Sequence, residues 1–423
     1  MDQPTEPPGT PRVRDRHREE DRHRVEVLRS VEELPAGLWE RLAPADDPMW
    51  SRGVFTALER SRIGPEGYAY LVLRRAGEPV AVLPLCLFRD LMLDRVVGPR
   101  ERRLLAPVRR LAPRLLRVPM LFCGNLLGQG HVLAAGPRGA PAARLLVAAV
   151  LEFARRERLG TVVFKDFAAA DLAPLRAALT AAGFFLVPSL PDTELGLDAA
   201  SFEEYLAALP AKPRRNARAK LRRFAARPGL RIDVLDEFGH LLPQLLALYR
   251  QVMERADQTL DVLDHAFLAA VADGEGLRRR LVVCFEGDRA VGFLLCLFAG
   301  AGATGARIGL DYRLAHEAAL YHNLHYAAVR LALADGCRHI RFAQTAYVPK
   351  VELGCALVEQ WYAMTHVRPL PRAVLRRVLP PALTAALAEA LGPHGPANPH
   401  PMTPHPTDPH PNRREERPPR APR

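Results

Sequence analysis

Lysine is scarce in this chain. Lys165, Lys212, Lys220 and Lys350 are the only ones, and arginine supplies the rest of the 59 basic residues. Where arginine is the default cation, a lysine marks a need for a compact point charge or a proton that burial can shift. Lys350 follows closely on Phe342, Gln344 and Tyr347, past a short apolar run, and with Gln344 it is a pocket candidate. Asp311 closes an earlier apolar run. It suits a general base, or a carboxylate that satisfies the first amides of a helix, which is the simpler reading.

His316, His322 and His325 fall on one expected helix, but no carboxylate or cysteine completes a ligand set at nearby spacing. The six cysteines are scattered through apolar runs with no CxxC pair, so they read as small buried hydrophobes in a reducing compartment. His400, His405 and His410 recur every five residues in a Pro-rich tail. Polyproline II repeats every three residues, so that spacing scatters the imidazoles around the axis. No metal is expected. Nucleophile elbow, Walker loop and Rossmann glycine fingerprint are all missing.

The formal charge of +12 invites a nucleic-acid reading. The arginine skew is what a GC-rich coding sequence would produce, and the surplus sits in two patches, Arg100–Arg117 and Lys212–Arg231. Only the second lacks acids. There Arg215, Arg218 and Arg222 share one helical stripe, with Arg214 and Lys220 off it. Aromatics are missing apart from Phe224, which speaks against base stacking. A solvated helix at a domain junction is the plain reading. Phosphate contact through Lys212, Arg214, Arg215 and Arg218 is the other, with DNA not expected as a partner. The charged, Pro-rich start resembles no signal peptide, and no apolar run approaches the roughly 20 residues of a membrane helix. A cytoplasmic protein without integral membrane association is expected.

These residues are set in a duplicated frame. At 423 residues two domains are the default. Residues 1–24 and 393–423 are expected to be disordered. Between them, Leu71–Phe88 lines up without a gap on Leu281–Phe298, each an apolar strand, a turn at or just before Gly-Glu or Gly-Asp, and a second apolar strand. Two helical stretches precede each hairpin: Glu32–Leu42 and Arg52–Ser61, then Leu241–Arg255 and Asp264–Asp273. A long helix to glycine follows each, Pro141–Gly160 and His316–Gly336. Then come short strands at Thr161–Lys165 and His339–Phe342, and last strands at Phe184–Pro188 and Val358–His366. The expected layout is one domain over 25–197, a second over 198–370 opened by a cap at Asp198 or Ser201, and a C-terminal helix within 371–392. That helix carries Val374, Val378, Leu379, Leu383 and Leu387, expected to pack on the body.

This order resembles the GNAT acyltransferase superfamily, in its tandem branch of Fem-type ("FemAB-like") and BioF-associated acetyltransferase proteins. Asp47–Ser61 looks like the family's opening helix. Tyr205–Arg223 looks like its basic segment, and Tyr321–Gly336 with Phe342–Lys350 and Gly354 like its closing helix, strand and Lys-x-x-x-Gly. The resemblance implies an α/β fold of two tandem GNAT-like domains, each a mixed sheet flanked by helices. It implies an N-acyltransferase working on a small-molecule or cell-envelope-type amine, with acetyl-CoA or another acyl-CoA as co-substrate. The thioester would lie where two strands splay, near Arg307–Leu310 and Phe342–Gln344. Ile308, Leu310, Arg313, His316, Phe342 and Gln344 would line the donor, and Tyr347, Asp311 and Lys350 would serve catalysis, Tyr347 by protonating the departing thiolate.

Two departures stand out. The family's glycine-bearing pyrophosphate loop is replaced by Asp311–Ala318, which has no glycine, so backbone approach to phosphate is harder. The first copy has only Ala168–Asp171 where the second has Tyr347 and Lys350, and reads as degenerate. Fem-type transfer from aminoacyl-tRNA and a non-catalytic binding protein remain the alternatives. A monomer or weak dimer is expected.

Overall fold

The computed structural model describes residues 23–61, 63–92, 106–107, 110–111, 116–134, 139–255, 262–274 and 276–392. The expected disordered tails and most of the Arg100–Arg117 patch lie outside them. His23 and Arg24, assigned above to the tail, instead open the first strand.

The first half runs β1 (His23–Leu28), α1 (Leu38–Leu42), α2 (Arg52–Arg60), β2 (Gly67–Arg75), β3 (Glu78–Phe88), β4 (Met120–Cys123), β5 (Leu133–Ala134), α3 (Ala140–Arg156), β6 (Thr161–Phe167), α4 (Ala169–Leu172), α5 (Arg176–Ala181), β7 (Phe185–Pro188) and β8 (Asp192–Gly196). The second half opens with two helices, α6 (Phe202–Ala208) and α7 (Ala211–Ala225). It continues through β9 (Leu230–Leu235), α8 (Leu242–Met253), α9 (His265–Asp273), β10 (Arg278–Glu286), β11 (Arg289–Ala299), β12 (Gly302–Leu310), α10 (Tyr312–Glu317), α11 (Leu320–Ala334), β13 (His339–Arg341), α12 (Tyr347–Glu352), β14 (Ala356–Val358), β15 (Trp361–His366) and α13 (Pro369–Leu391). Ser201 caps α6, its hydroxyl accepting the Glu204 N–H at 3.1 Å, as the sequence allows.

The strands form two sheets, ordered β1-β2-β3-β4-β6-β15-β7 and β9-β10-β11-β12-β13-β8-β14, with β5 beside β3. The orders match place for place once β8 and β15 change sides. β8 leaves the first half and pairs between β13 and β14, while β15 leaves the second and pairs between β6 and β7. The stretch Val358–His366, expected as one strand, is therefore split between two sheets. The expected joint at 197/198 does not part the sheets cleanly.

The hairpins hold a second difference. Two-residue turns close both, at Ala76-Gly77 with φ of 51° and 90°, and at Gly287-Asp288 with Gly287 at φ 60°. The gapless match sets Gly77 on Gly287, yet one is second in its turn and the other first. In consequence Leu71 faces the long helix α3, whereas it is Val282, not Leu281, that faces α11. Both faces of each hairpin are apolar, so the alternation that normally fixes register is missing and a one-residue slip leaves no trace in the sequence.

The faces away from α3 and α11 meet in one shared core, where α1 and α2 of the first half pack with α8 and α9 of the second. Trp39, Trp50, Phe55 and Tyr70 cluster there. Leu375, Leu379 and Leu383 of α13 join it, but Val374 and Val378, expected to pack on the body, stay exposed. Among the described residues no helix is long and apolar enough to cross a membrane.

Candidate active site

β12 and β13 are parallel neighbours for three pairs only, Gly302 with His339, Ala303 with Ile340 and Thr304 with Arg341. β12 then runs on to Leu310 beside β11 alone, while the other chain turns away. Ala306 is the extra residue of a bulge, since Leu295 pairs with Arg307 and Cys296 with Gly305, so its backbone falls out of the ladder. The departing chain holds Ala343, Thr345 and Ala346 at positive φ (58°, 65° and 47°). Such conformations cost roughly 1–3 kcal/mol each and need support. Lys350 gives it: its Nζ donates to the carbonyls of Ala343 and Gln344, both at 2.9 Å. The Thr193 hydroxyl donates to Ala343 at 2.7 Å, and Gln344 Nε2 donates to Leu190 O and Gln360 Oε1.

Where the strands part, a small cleft opens toward the first half. Asp192, Thr304, Arg307 and Arg341 form one wall, and Asp47 and Gln129 of the first half form the other. Arg341 bridges the halves, donating through Nε to Glu194 at 2.7 Å and through Nη1 to Asp47 at 3.0 Å. Asp47 also accepts the Met49 N–H at 3.0 Å. His131 donates from Nδ1 toward Asp171 at 3.0 Å, and its Nε2 sits 3.8 Å from Asp47, beyond a hydrogen bond. Burial opposes charge on His131, but the carboxylates outweigh it and raise its pKa to about 9, with Asp171 the closer contributor.

Asp192 and Asp47 are the buried carboxylates of the cleft; Asp192 is the one with a raised pKa. Burial lifts its pKa, against the Thr193 N–H that it accepts and the cations of Arg341 and Lys350. Burial in turn lowers the pKa of Lys350, opposed by Asp192. Two further lining groups, Thr304 Oγ1 and Gln129 Nε2, are buried with no hydrogen-bond partner. Native interiors rarely leave such atoms orphaned without a ligand or water to meet them.

The expected site residues are only partly brought together. Phe342, Gln344 and Lys350 surround the parting. Tyr347 is near but buried, with its hydroxyl donating to Pro191 O at 2.9 Å. Asp311 lies at the far end of β12, where it caps α10 by accepting the Arg313 N–H at 3.0 Å and pairs with Arg289 at 3.3 Å. Arg313 pairs outward with Glu286, and His316 sits on the same short helix. Ile308 and Leu310 stay on β12 beyond the bulge. The long helix begins at Leu320, not His316, and its start is closed: Ala318 and Leu320 are buried, and Asn323 Nδ2 donates to Ala319 O and Lys220 O.

The side of the parting that faces α11 is filled. Tyr321 stacks on His325 at 4.2 Å, His325 meets Phe342 at 4.7 Å, and the Phe342 ring lies where a side chain on Gly305 would be. Burial drives the pKa of His325 down to about 3. Over this stack lies α7, whose Lys220 joins His322 of α11 and Glu352 of α12. Arg214 and Arg223 of α7 are bound to carbonyls of Ala207 and Glu317. Lys212, Arg215, Arg218 and Arg222 are exposed and pair with nothing among the described residues.

Sequence reasoning passed over Asp192, Thr304, Arg341, Gln129 and His131. Asp47 appears above only as the start of a family-like segment. Among the described residues no group of three His, Cys, Asp or Glu is placed to hold a metal ion.

Residues 211–348 match the acetyltransferase (GNAT) domain family model. No curated protein sequence matches the chain. Among solved structures, FemX is similar at 12% identity and a TM-score of 0.52, with 84% of this chain and 99% of that one covered. A tandem GNAT protein from the clavulanic acid biosynthesis pathway is similar at 14% identity and a TM-score of 0.50, covering 82% and 99%. At those identities the likeness speaks to fold alone, and the family model adds the class of chemistry in the second half. The second half thus carries an acetyltransferase (GNAT) domain, and the chain as a whole has the two-sheet fold of tandem GNAT structures.

Proposed function

We propose that the chain transfers an acyl group to an amine seated in the cleft between its halves, with Asp192 as the base. An amine reaches the enzyme as an ammonium and must lose a proton before it attacks. A carboxylate whose pKa is lifted toward neutrality by burial suits that step. The amine then adds to the acyl carbonyl, the oxyanion is met by backbone freed at the Ala306 bulge, and the bond to the leaving thiolate breaks. The observation that carries this reading is the parting of β12 from β13 after Thr304 and Arg341, with Asp192 and two orphaned polar groups beside it. Tyr347 and Lys350, engaged by backbone carbonyls, act in this scheme by holding the turn. Tyr347→Phe is expected to keep most of the turnover.

Acyl-CoA is the donor this reading favours, carried by the GNAT match. For it to enter along the family's usual path, the Tyr321–His325–Phe342 stack and α7 must give way. That filled path, with the unpaired stripe of Lys212, Arg215, Arg218 and Arg222, favours a second reading in which an aminoacyl-tRNA is the donor. Calorimetry with acetyl-CoA and filter retention of tRNA separate the two. Heat with acetyl-CoA supports the first, and retention with steep salt dependence supports the second. Silence in both sinks the transferase reading.

A further inference from the structure

Two buried polar groups of the cleft have no part in the proton transfer proposed above. Gln129 is 5% exposed and Thr304 4%, and Gln129 Nε2 and Thr304 Oγ1 meet no hydrogen-bond partner among the described residues. They come from opposite walls. Thr304 is the last residue of β12 to pair with β13. Gln129 belongs to the loop after β4, and that loop is tied down. Asn125 Nδ2 donates to Met49 O at 2.7 Å, its Oδ1 accepts the Leu127 N–H at 2.9 Å, and Trp50 Nε1 donates to Gln129 O at 2.9 Å. The first half thus fixes the backbone of Gln129 while its side chain lines a cleft beside the strands of the second. A donor held this way and left unmet is preorganised for a ligand.

The chemistry of that ligand follows from the two groups. An amide nitrogen only donates, and a hydroxyl donates or accepts. A carbonyl or carboxylate oxygen, with two lone pairs and no proton to place, accepts from both. Any water that meets them in the free protein leaves when the amine enters, and a ligand that does not replace its hydrogen bonds binds less well. Asp192 lines the same cleft, and the cleft is small, so amine and oxygen belong to one compact group. Resting on the cleft as the seat of the amine, we infer that the acceptor is an amine with a carbonyl-type oxygen beside it, as in an amino acid or an aminoacyl group. Gln129 and Thr304 hold that oxygen, and Gln129 makes the first half a determinant of specificity.

Saturation-transfer NMR with glycinamide, glycine and isobutylamine, with no acyl donor present, tests this. Isobutylamine has the shape of glycinamide without its oxygen. On the wild type the better of the first two should bind about tenfold or more tighter than isobutylamine. Glycine as the tighter ligand marks a carboxylate, and glycinamide an amide carbonyl. Gln129→Leu should cut the ratio to about threefold or less, and Thr304→Val should lower it in the same direction. The two groups have no partner to lose, so the urea midpoint should not fall in either variant. No preference for an oxygen-bearing amine in the wild type, a ratio kept by both variants, or a lower midpoint in both would each overturn the inference. Selective binding by a protein that transfers no acyl group would sink the transferase reading and leave this one standing.

Discussion

The two halves carry the same strand parting, and one is closed where the other is open. In the first half β4 pairs with β6 along its whole length, Met120–Cys123 against Thr161–Phe164. The chain after β4 then doubles back into the gap. Gly124 and Gly130 lie against the Phe167 ring, and the Gly130 N–H donates to Asp166 O at 2.8 Å. In the second half β12 outruns its parallel partner, and the space holds a cleft instead of the protein's own backbone. The exchanged strands repeat the contrast. Glu194 faces Arg341 and Ala356 as Met364 faces Val163 and Phe185, so two residues earlier Asp192 and Tyr362 hold equivalent places. One is a carboxylate opening on the cleft. The other is a phenol tied to Asp166 and Ser189. The repeated sheets hold two partings; loop fills one, and the other is the place the proposed function gives to a substrate.

Substitutions can break this contrast in a graded way. Asp192→Asn should lower turnover by about 10²–10⁴, the range for loss of a general base. In the wild type the rate should fall as pH drops through the raised pKa of Asp192, because only the ionised carboxylate accepts the proton; a profile without that acid limb would remove Asp192 from the chemistry. Arg341→Ala should cost about 3–5 kcal/mol in urea unfolding, since it strands Asp47 and Glu194 in a largely buried site. Gly130→Ala should cost about 1–3 kcal/mol, because its Cβ would meet Lys165 O and the Phe167 ring, both at 2.2 Å. It should leave the kinetics of the folded fraction alone; a change in kcat there would give the closed parting a part in the reaction.

His131 offers a pH-dependent handle of similar size. Its folded pKa lies near 9 against 6.5 for the free side chain. A group raised on folding contributes stability that is full below the lower value and is lost as pH climbs through the upper one. Unfolding free energy should therefore fall by about 2–3 kcal/mol between those limits, and His131→Gln should flatten the slope. The smallest effect belongs to Tyr362→Phe, which should change turnover less than about twofold, within the range of substitutions outside a reacting centre. A large loss would make the first parting a working site.

The order of strands and helices is legible because each element has its own mark: Gly-bearing turns, long apolar runs, and helices ending at glycine. The hairpin's face is not legible, because Leu71–Leu73 and Leu281–Val283 are apolar on both sides and a slip of one residue leaves the pattern intact. The exchange of β8 and β15 is hidden for a related reason. Asp192–Gly196 reads as the tail of one domain, and nothing local says that its partners are Arg341 and Val358. The site suffered most from this. The role proposed for Asp192 depends on the sheet it joins, and the place of Arg341 on Asp47, nearly three hundred residues away in the chain. Lys350 is the instructive middle case: its rarity flagged a specific need, and that need is two carbonyls of a strained turn.

The crossed strands also set a timetable for synthesis. The first sheet has a slot between Thr161–Phe167 and Phe185–Pro188 that only Trp361–His366 fills. A ribosome adding residues at about 5–20 per second therefore releases that half some ten seconds or more before its missing member is made. Until then its edges stand bare to any other chain, and a copy of the same protein offers the matching ribbon. Crowded translation of this gene should yield interlocked pairs as its characteristic error, because each chain carries the piece the other lacks.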